Sequence, residues 1–224
     1  MIFPLPEGSM FSYNAPIIDN EVMTTFRSRA DLRQRLSLSL DRMLQFYGFQ
    51  VSSEPPEQED EKTEKGATEE TAPINSDKIA DIDVKGKGKQ KEEDTTAAAS
   101  LSSKQSAAPT TPTSLLGGYY IVRSNNWKQA FRNWAKRMDH NHLRITRILR
   151  SLRILGLQKE CDAFFAALQR VYNDPQINIG ERSLEFWERA AKQPLHVAPD
   201  GERVAWLKKW EVDKREESAE ESLA

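Results

Sequence analysis

Four arginines at three-residue spacing, Arg144, Arg147, Arg150 and Arg153, are the residues of this sequence best suited to recognition chemistry. Each guanidinium is a planar fork of N–H donors that can hold a carboxylate or phosphate through two parallel bonds. The arginines interleave with Ile145, Ile148, Leu149, Leu152 and Leu155. At about 100° per residue those five apolar positions fall within an arc of roughly 120°, which predicts a helix with a core face and a cationic face opposite. Asn141 is placed to cap its start, and Gly156 to end it in the left-handed region. From Tyr120 to Glu160 ten Lys and Arg stand against only Asp139 and Glu160. Such a patch would hold nucleic acid or an acidic protein; the alternative is a solvated face whose charges pair internally.

Other chemistry has less support. His140 and His142 stand two residues apart at a helix start and point in different directions. No Cys, Asp or Glu cluster completes a tetrahedral shell around them, so they read as hydrogen-bonding residues at a helix junction and not as metal ligands. Asp139 adjoins His140, but no nucleophile sits in a GxSxG context, and the sequence has no GxGxxG and no P-loop. Neither an enzyme nor a cofactor is expected. Cys161 is the single cysteine. It has no internal disulfide partner and lies at helical spacing among apolar residues, as a small buried side chain does.

The elements that must position these residues divide the chain. Of the 224 residues 38% are hydrophobic and 29% charged, with a net charge of -2, as in a soluble intracellular protein. No apolar run approaches the ~18 residues of a membrane span, and the first residues lack a secretory basic region. The expected location is nuclear or cytoplasmic, with any membrane association peripheral. Residues 52–114 contain no aromatic residue and carry 14 acids against 8 lysines. Such a stretch cannot bury enough apolar surface to offset about 1–2 kcal/mol of ordering entropy per residue, so it reads as a disordered linker. Within it Lys85–Lys91 reads as a solvated charge run or a weak nuclear localisation signal. Residues 1–51 and 115–212 then make one helical domain, and 213–224 an acidic disordered tail.

Helical periodicity predicts an all-α domain of six to seven helices. The first starts at Asp19 or Asn20 with Val22, Met23 and Phe26 inward. The second runs from Asp31 to Tyr47, turns Leu32, Leu36, Leu40, Met43, Leu44 and Tyr47 inward, and stops at Gly48. Residues 117–122 have strand-forming character but no visible partner, and read as an ordered lead-in. A helix from Ser124 or Asn125 to Met138 follows, with Trp127, Ala130, Phe131, Trp134 and Met138 on one face. After the arginine helix come Lys159–Tyr172, Glu181–Lys192 and Gly201–Val212.

The run from His140 to Leu149, followed by Ser151-Leu152 and Leu155-Gly156, resembles the conserved region of the opioid growth factor receptor family. Phe3-Pro4-Leu5-Pro6-Glu7, Asn14-Ala15-Pro16, Met43-Leu44 and Phe46-Tyr47-Gly48 resemble that family's earlier motifs, in the same order. The likeness covers roughly residues 2–51 and 119–210. The chain departs from the family in beginning at Phe3-Pro4, where relatives look to have further helical sequence, and in its inserted middle stretch. The resemblance implies a nuclear or perinuclear receptor-like protein that takes a short enkephalin-like peptide and restrains proliferation. For such a ligand, Trp127, Phe131 and Trp134 would line a groove for its rings, while Arg144, Arg147, Arg150 and Arg153 would receive its terminal carboxylate. Nothing in the sequence sets the oligomeric state.

Overall fold

Helices begin where a side chain can accept a free N–H and end where the backbone can turn away. In the computed structural model, which describes residues 3–8, 14–56 and 118–221, both signals act as read. Asp19 accepts from the Val22 N–H at 2.8 Å and opens helix α1, Asn20–Ser28. Helix α2, Ala30–Tyr47, ends at Gly48 with φ at 83°. A Cβ there would lie 2.8 Å from the Ala130 Cβ, so glycine is required by conformation and by space alike. Met23, Leu36, Leu40, Leu44 and Tyr47 are buried, whereas Val22, expected inward, is exposed.

The next element corrects the sequence reading. Strand β1, Phe49–Ser52, pairs antiparallel with strand β2, Tyr120–Arg123, in a register running from Phe49↔Arg123 to Ser52↔Tyr120. The supposed lead-in is therefore a strand, and its partner lies across the long middle stretch. Residues 57–114, with the Lys85–Lys91 tract, lie outside the described residues.

Helix α3 spans only Trp127–Phe131, shorter than the expected helix to Met138. The chain then turns so that Trp134 enters the core and donates its indole N–H to the Tyr47 carbonyl at 3.0 Å, the end of α2. Met138 is left 86% exposed. Helix α4, His140–Ile154, and helix α5, Gln158–Tyr172, follow, each starting slightly earlier than read from sequence; helix α6, Glu181–Lys192, has the bounds read from sequence. Helix α7, Ala205–Glu221, starts later than expected and continues through residues read as a disordered tail. Every residue from Val212 to Glu221 is exposed. Local contacts support that last part: Lys214 pairs with Glu217, and the Ser218 hydroxyl donates to the Lys214 carbonyl.

α4 packs on α5 and α6, and one core joins Leu40, Leu44 and Phe49 to Trp134, Leu149, Phe164 and Trp187. Residues on both sides of the middle stretch thus share one compact unit. Cys161 is buried in it; its thiol, 3.4 Å from the Leu149 carbonyl, is pushed up to about 12 by burial and stays protonated. Among the described residues no helix is long and apolar enough to cross a membrane.

Candidate functional site

α4 is fixed at both ends. Its cap is Asp139, two residues earlier than the expected Asn141: Asp139 has extended backbone, and its Oδ1 accepts from the Asn141 N–H at 2.9 Å and from the Asn141 side-chain amide at 2.8 Å. At the other end Gly156 has φ at 88°, and Leu157 N–H donates to the Leu152 carbonyl at 2.8 Å, a left-handed stop as the sequence predicted.

Between those ends the arginines do not share one face. Three residues advance a helix by about 300°, so successive arginines step back by roughly 60° and wind around the axis. Arg144 is exposed and donates to Asn141 Oδ1 at 3.2 Å. Arg147 donates through Nε to the Phe3 carbonyl at 2.6 Å. Arg150 is only 1% exposed and grips Glu7 with both arms of its fork, Nε to Oε1 at 2.7 Å and Nη2 to Oε2 at 3.2 Å. Arg153 donates to the Ala190 and Gln193 carbonyls, at 3.0 and 2.8 Å, where α6 ends. Of the two readings the sequence left open, an anion-holding surface and a face whose charges pair internally, the structure favours the second: three of the four guanidiniums are engaged with other parts of the protein. Burial lowers the pKa of Arg147 and Arg153, yet a guanidinium keeps its proton.

The aromatic trio does not form a groove either. Trp134 and Phe131 are 0% and 5% exposed, and Trp127 is half-buried beneath the Arg123 guanidinium, 4.4 Å from its ring centre. Their place is the core, because Trp134 closes the end of α2 and Phe131 packs between Trp134 and Phe49. His142 takes part in the same packing. Its Nε2 lies 2.9 Å from the Trp134 carbonyl and its Nδ1 2.7 Å from the Ser183 hydroxyl. A carbonyl only accepts, so Nε2 carries the proton and Nδ1 accepts from Ser183. Burial lowers the His142 pKa and keeps the ring neutral. Its carbonyl in turn accepts from the Trp187 indole at 3.0 Å. His140 is exposed. Among the described residues no group of three or more His, Cys, Asp or Glu is placed to hold a metal ion.

What α4 does hold is a short stretch of peptide. Residues 3–8 run without helix across it, with Phe3 in the core cluster and Glu7 8% exposed. The Leu5 carbonyl accepts from Ile18 N–H at 3.0 Å, and Leu5 forms an isolated parallel bridge with Ile17. The cleft supplies donors, from Arg147, Arg150 and Ile18. The segment supplies acceptors, two backbone carbonyls and one carboxylate. An arrangement of this kind reads an extended peptide through its carboxylate and carbonyls, with an apolar seat for an aromatic ring. The periodicity argument missed Phe3 and Glu7 as partners of the arginines. A signal was present: Glu7 is the lone charged residue among the first 18, and a carboxylate set among apolar residues needs a cation if it is buried.

Residues 117–194 match the opioid growth factor receptor (OGFr) conserved region. The OGFr-matched stretch runs from β2 to just past α6 and contains α4 whole, arginines included; α1, α2, β1, α7 and the segment seated on α4 lie outside it. Neither the curated proteins nor the solved structures gave a match. Lys128, Arg132, Lys136 and Arg137, all within the OGFr-matched stretch, stay exposed beside α3, so the basic surface that remains is smaller than the sequence suggested. A second concavity, of about 260 Å³, lies between α2 and β1 and is lined by Asp41, Leu44, Gln50, Val51 and Tyr119 among others. Burial raises the pKa of Asp41, and among the described residues no cation lines that groove, so it suits an ammonium or amide more than a carboxylate.

Proposed function

We propose that this chain is an OGFr-like binding protein for a short enkephalin-like peptide, acting without catalysis inside the cell, with any membrane contact peripheral. The match of residues 117–194 to the OGFr conserved region carries this reading. The chemistry of α4 supports it: Arg150 and Arg147 already hold a carboxylate and a peptide carbonyl at 2.7 and 2.6 Å, the groups a short peptide presents at its C-terminus. Ion pairs in so enclosed a place are screened little by salt, unlike contacts to nucleic-acid phosphates.

The test is calorimetric titration of the full chain with an enkephalin-type pentapeptide, its C-terminal amide, and a mixed nucleic-acid oligomer. Saturable one-to-one heat for the free acid, lost for the amide and steady between 50 and 200 mM salt, is the expected outcome. Steeply salt-dependent heat from the oligomer alone would overturn the peptide reading and favour the basic residues Lys128 to Arg137 as a nucleic-acid surface.

A further inference from the structure

We propose that the cleft on α4 is an exchangeable acceptor for short peptides that carry a carboxylate four residues after an aromatic side chain, with the chain's own Phe3–Glu7 as its resident occupant. The inference deepens the peptide reading and rests on it only for the identity of the external ligand.

Three observations carry it. First, among the described residues, the contacts that hold the resident segment are ones that a separate peptide could offer. These are the Phe3 ring in the core cluster, the Phe3 carbonyl on Arg147, the Leu5 carbonyl on Ile18 N–H, and the Glu7 carboxylate on Arg150. Second, the segment is chemically one-sided. Pro4 and Pro6 have no N–H, so the segment presents mainly acceptors to a cleft that presents donors, and it is pre-set in an extended form with little rotational freedom to lose. Third, the fork favours a carboxylate over no occupant. With the segment seated, Arg150 is 1% exposed and held to Glu7 by both arms. Lifting Glu7 away breaks those two bonds and an incoming carboxylate restores them, which favours exchange between cis and trans occupants over an empty cleft.

A tethered occupant competes at an effective concentration in the millimolar range, so the wild-type chain takes an external peptide weakly. Weakening the tethered ligand raises the competent fraction and the apparent affinity with it.

The experiment uses the full chain and the full-length variant Glu7→Gln. The probe is the peptide Phe-Pro-Leu-Pro-Glu with its C-terminus amidated, so that its one carboxylate is the glutamate side chain; the same peptide ending in glutamine is the control. Calorimetry is expected to show the glutamate peptide binding Glu7→Gln at least about tenfold more tightly than wild type, and the control binding neither. In the wild-type chain labelled at phenylalanine, an excess of the unlabelled peptide is expected to move the Phe3 resonances to unpacked positions. That second readout decides the matter if Glu7→Gln fails to fold. Equal affinity for both chains, or binding that leaves the Phe3 resonances in place, overturns the proposal. An enkephalin-type pentapeptide titrated in parallel separates the two claims. Binding of the chain's own sequence without the pentapeptide keeps the exchangeable cleft and removes the enkephalin reading; pentapeptide binding with Phe3 undisturbed does the reverse.

Discussion

α4 and α6 both carry cations at helical spacing, and they use them in opposite ways. On α6 two of the three cations have an acid one turn before them, Glu185 for Arg189 and Glu188 for Lys192, and those pairs stand 44–58% exposed. α4 contains no acid at all, so Arg147, Arg150 and Arg153 find partners in residues 3–7 and at the end of α6. A basic residue with a same-helix acid at i−4 can be satisfied at the surface. A series of basic residues without one has charge left to bind something else, and here that is the protein's own chain.

The contrast breaks most visibly at the buried pair. Arg150→Ala or Glu7→Ala strands an ion in the interior and is expected to lose roughly 3–5 kcal/mol of stability by denaturant unfolding, while the double change Arg150→Met with Glu7→Leu recovers most of that loss. A single-variant loss below about 1 kcal/mol would mean that the fork is not closed in solution, and α4 would then behave like α6.

A smaller effect is expected on acidification. His142 is neutral and buried, with a pKa below the usual 6.5 because burial disfavours its charged form. The unfolded chain therefore binds more protons just below pH 6.5, and stability falls as pH drops through that value. Carboxylates held below their usual range, Asp139, Asp174 and Glu211, add to the loss only at more acid pH: burial pushes each of them up, but hydrogen bonds and nearby positive charges outweigh it. Unfolding midpoints at pH 7.5 and 5.5 should differ for wild type and differ less for His142→Gln. Equal slopes in the two chains would remove His142 from the account.

Least should follow from the surface. Lys192→Ala is expected to change stability by no more than about 0.5 kcal/mol, and adding salt to wild type should erase even that. A loss above 1 kcal/mol would show the α6 pairs to be as structural as the α4 fork.

The same contrast marks what could be read from sequence. α6 was legible to the residue, and α5 through Cys161, Phe164, Phe165, Leu168 and Val171, because each declares a single inward face by periodicity alone. Gly48 and Gly156 were legible as stops because a positive φ leaves few other choices. The β1–β2 pair was not legible: four residues give too short a period, and the partners stand on opposite sides of the middle stretch. The α4 arginines were visible, but their direction was not. The face opposite an apolar stripe is usually wet, and only the location of Glu7, more than a hundred residues away, turns it dry. Trp127, Phe131 and Trp134 suited a ligand groove and a core equally well, and the bond from Trp134 to Tyr47 decides for the core.

The ladder that joins Ser52 to Tyr120 has an architectural consequence. The polypeptide leaves the ladder at Ser52 and returns to it at Tyr120, and these two residues face each other across it. Loop-closure entropy rises only with the logarithm of length, about 0.6 kcal/mol for each doubling. In closure entropy alone, lengthening or shortening the stretch between those two residues therefore costs the domain little. Severed there, the protein would become a two-piece lock, its halves separately incomplete and able to find each other through the apolar surface they share.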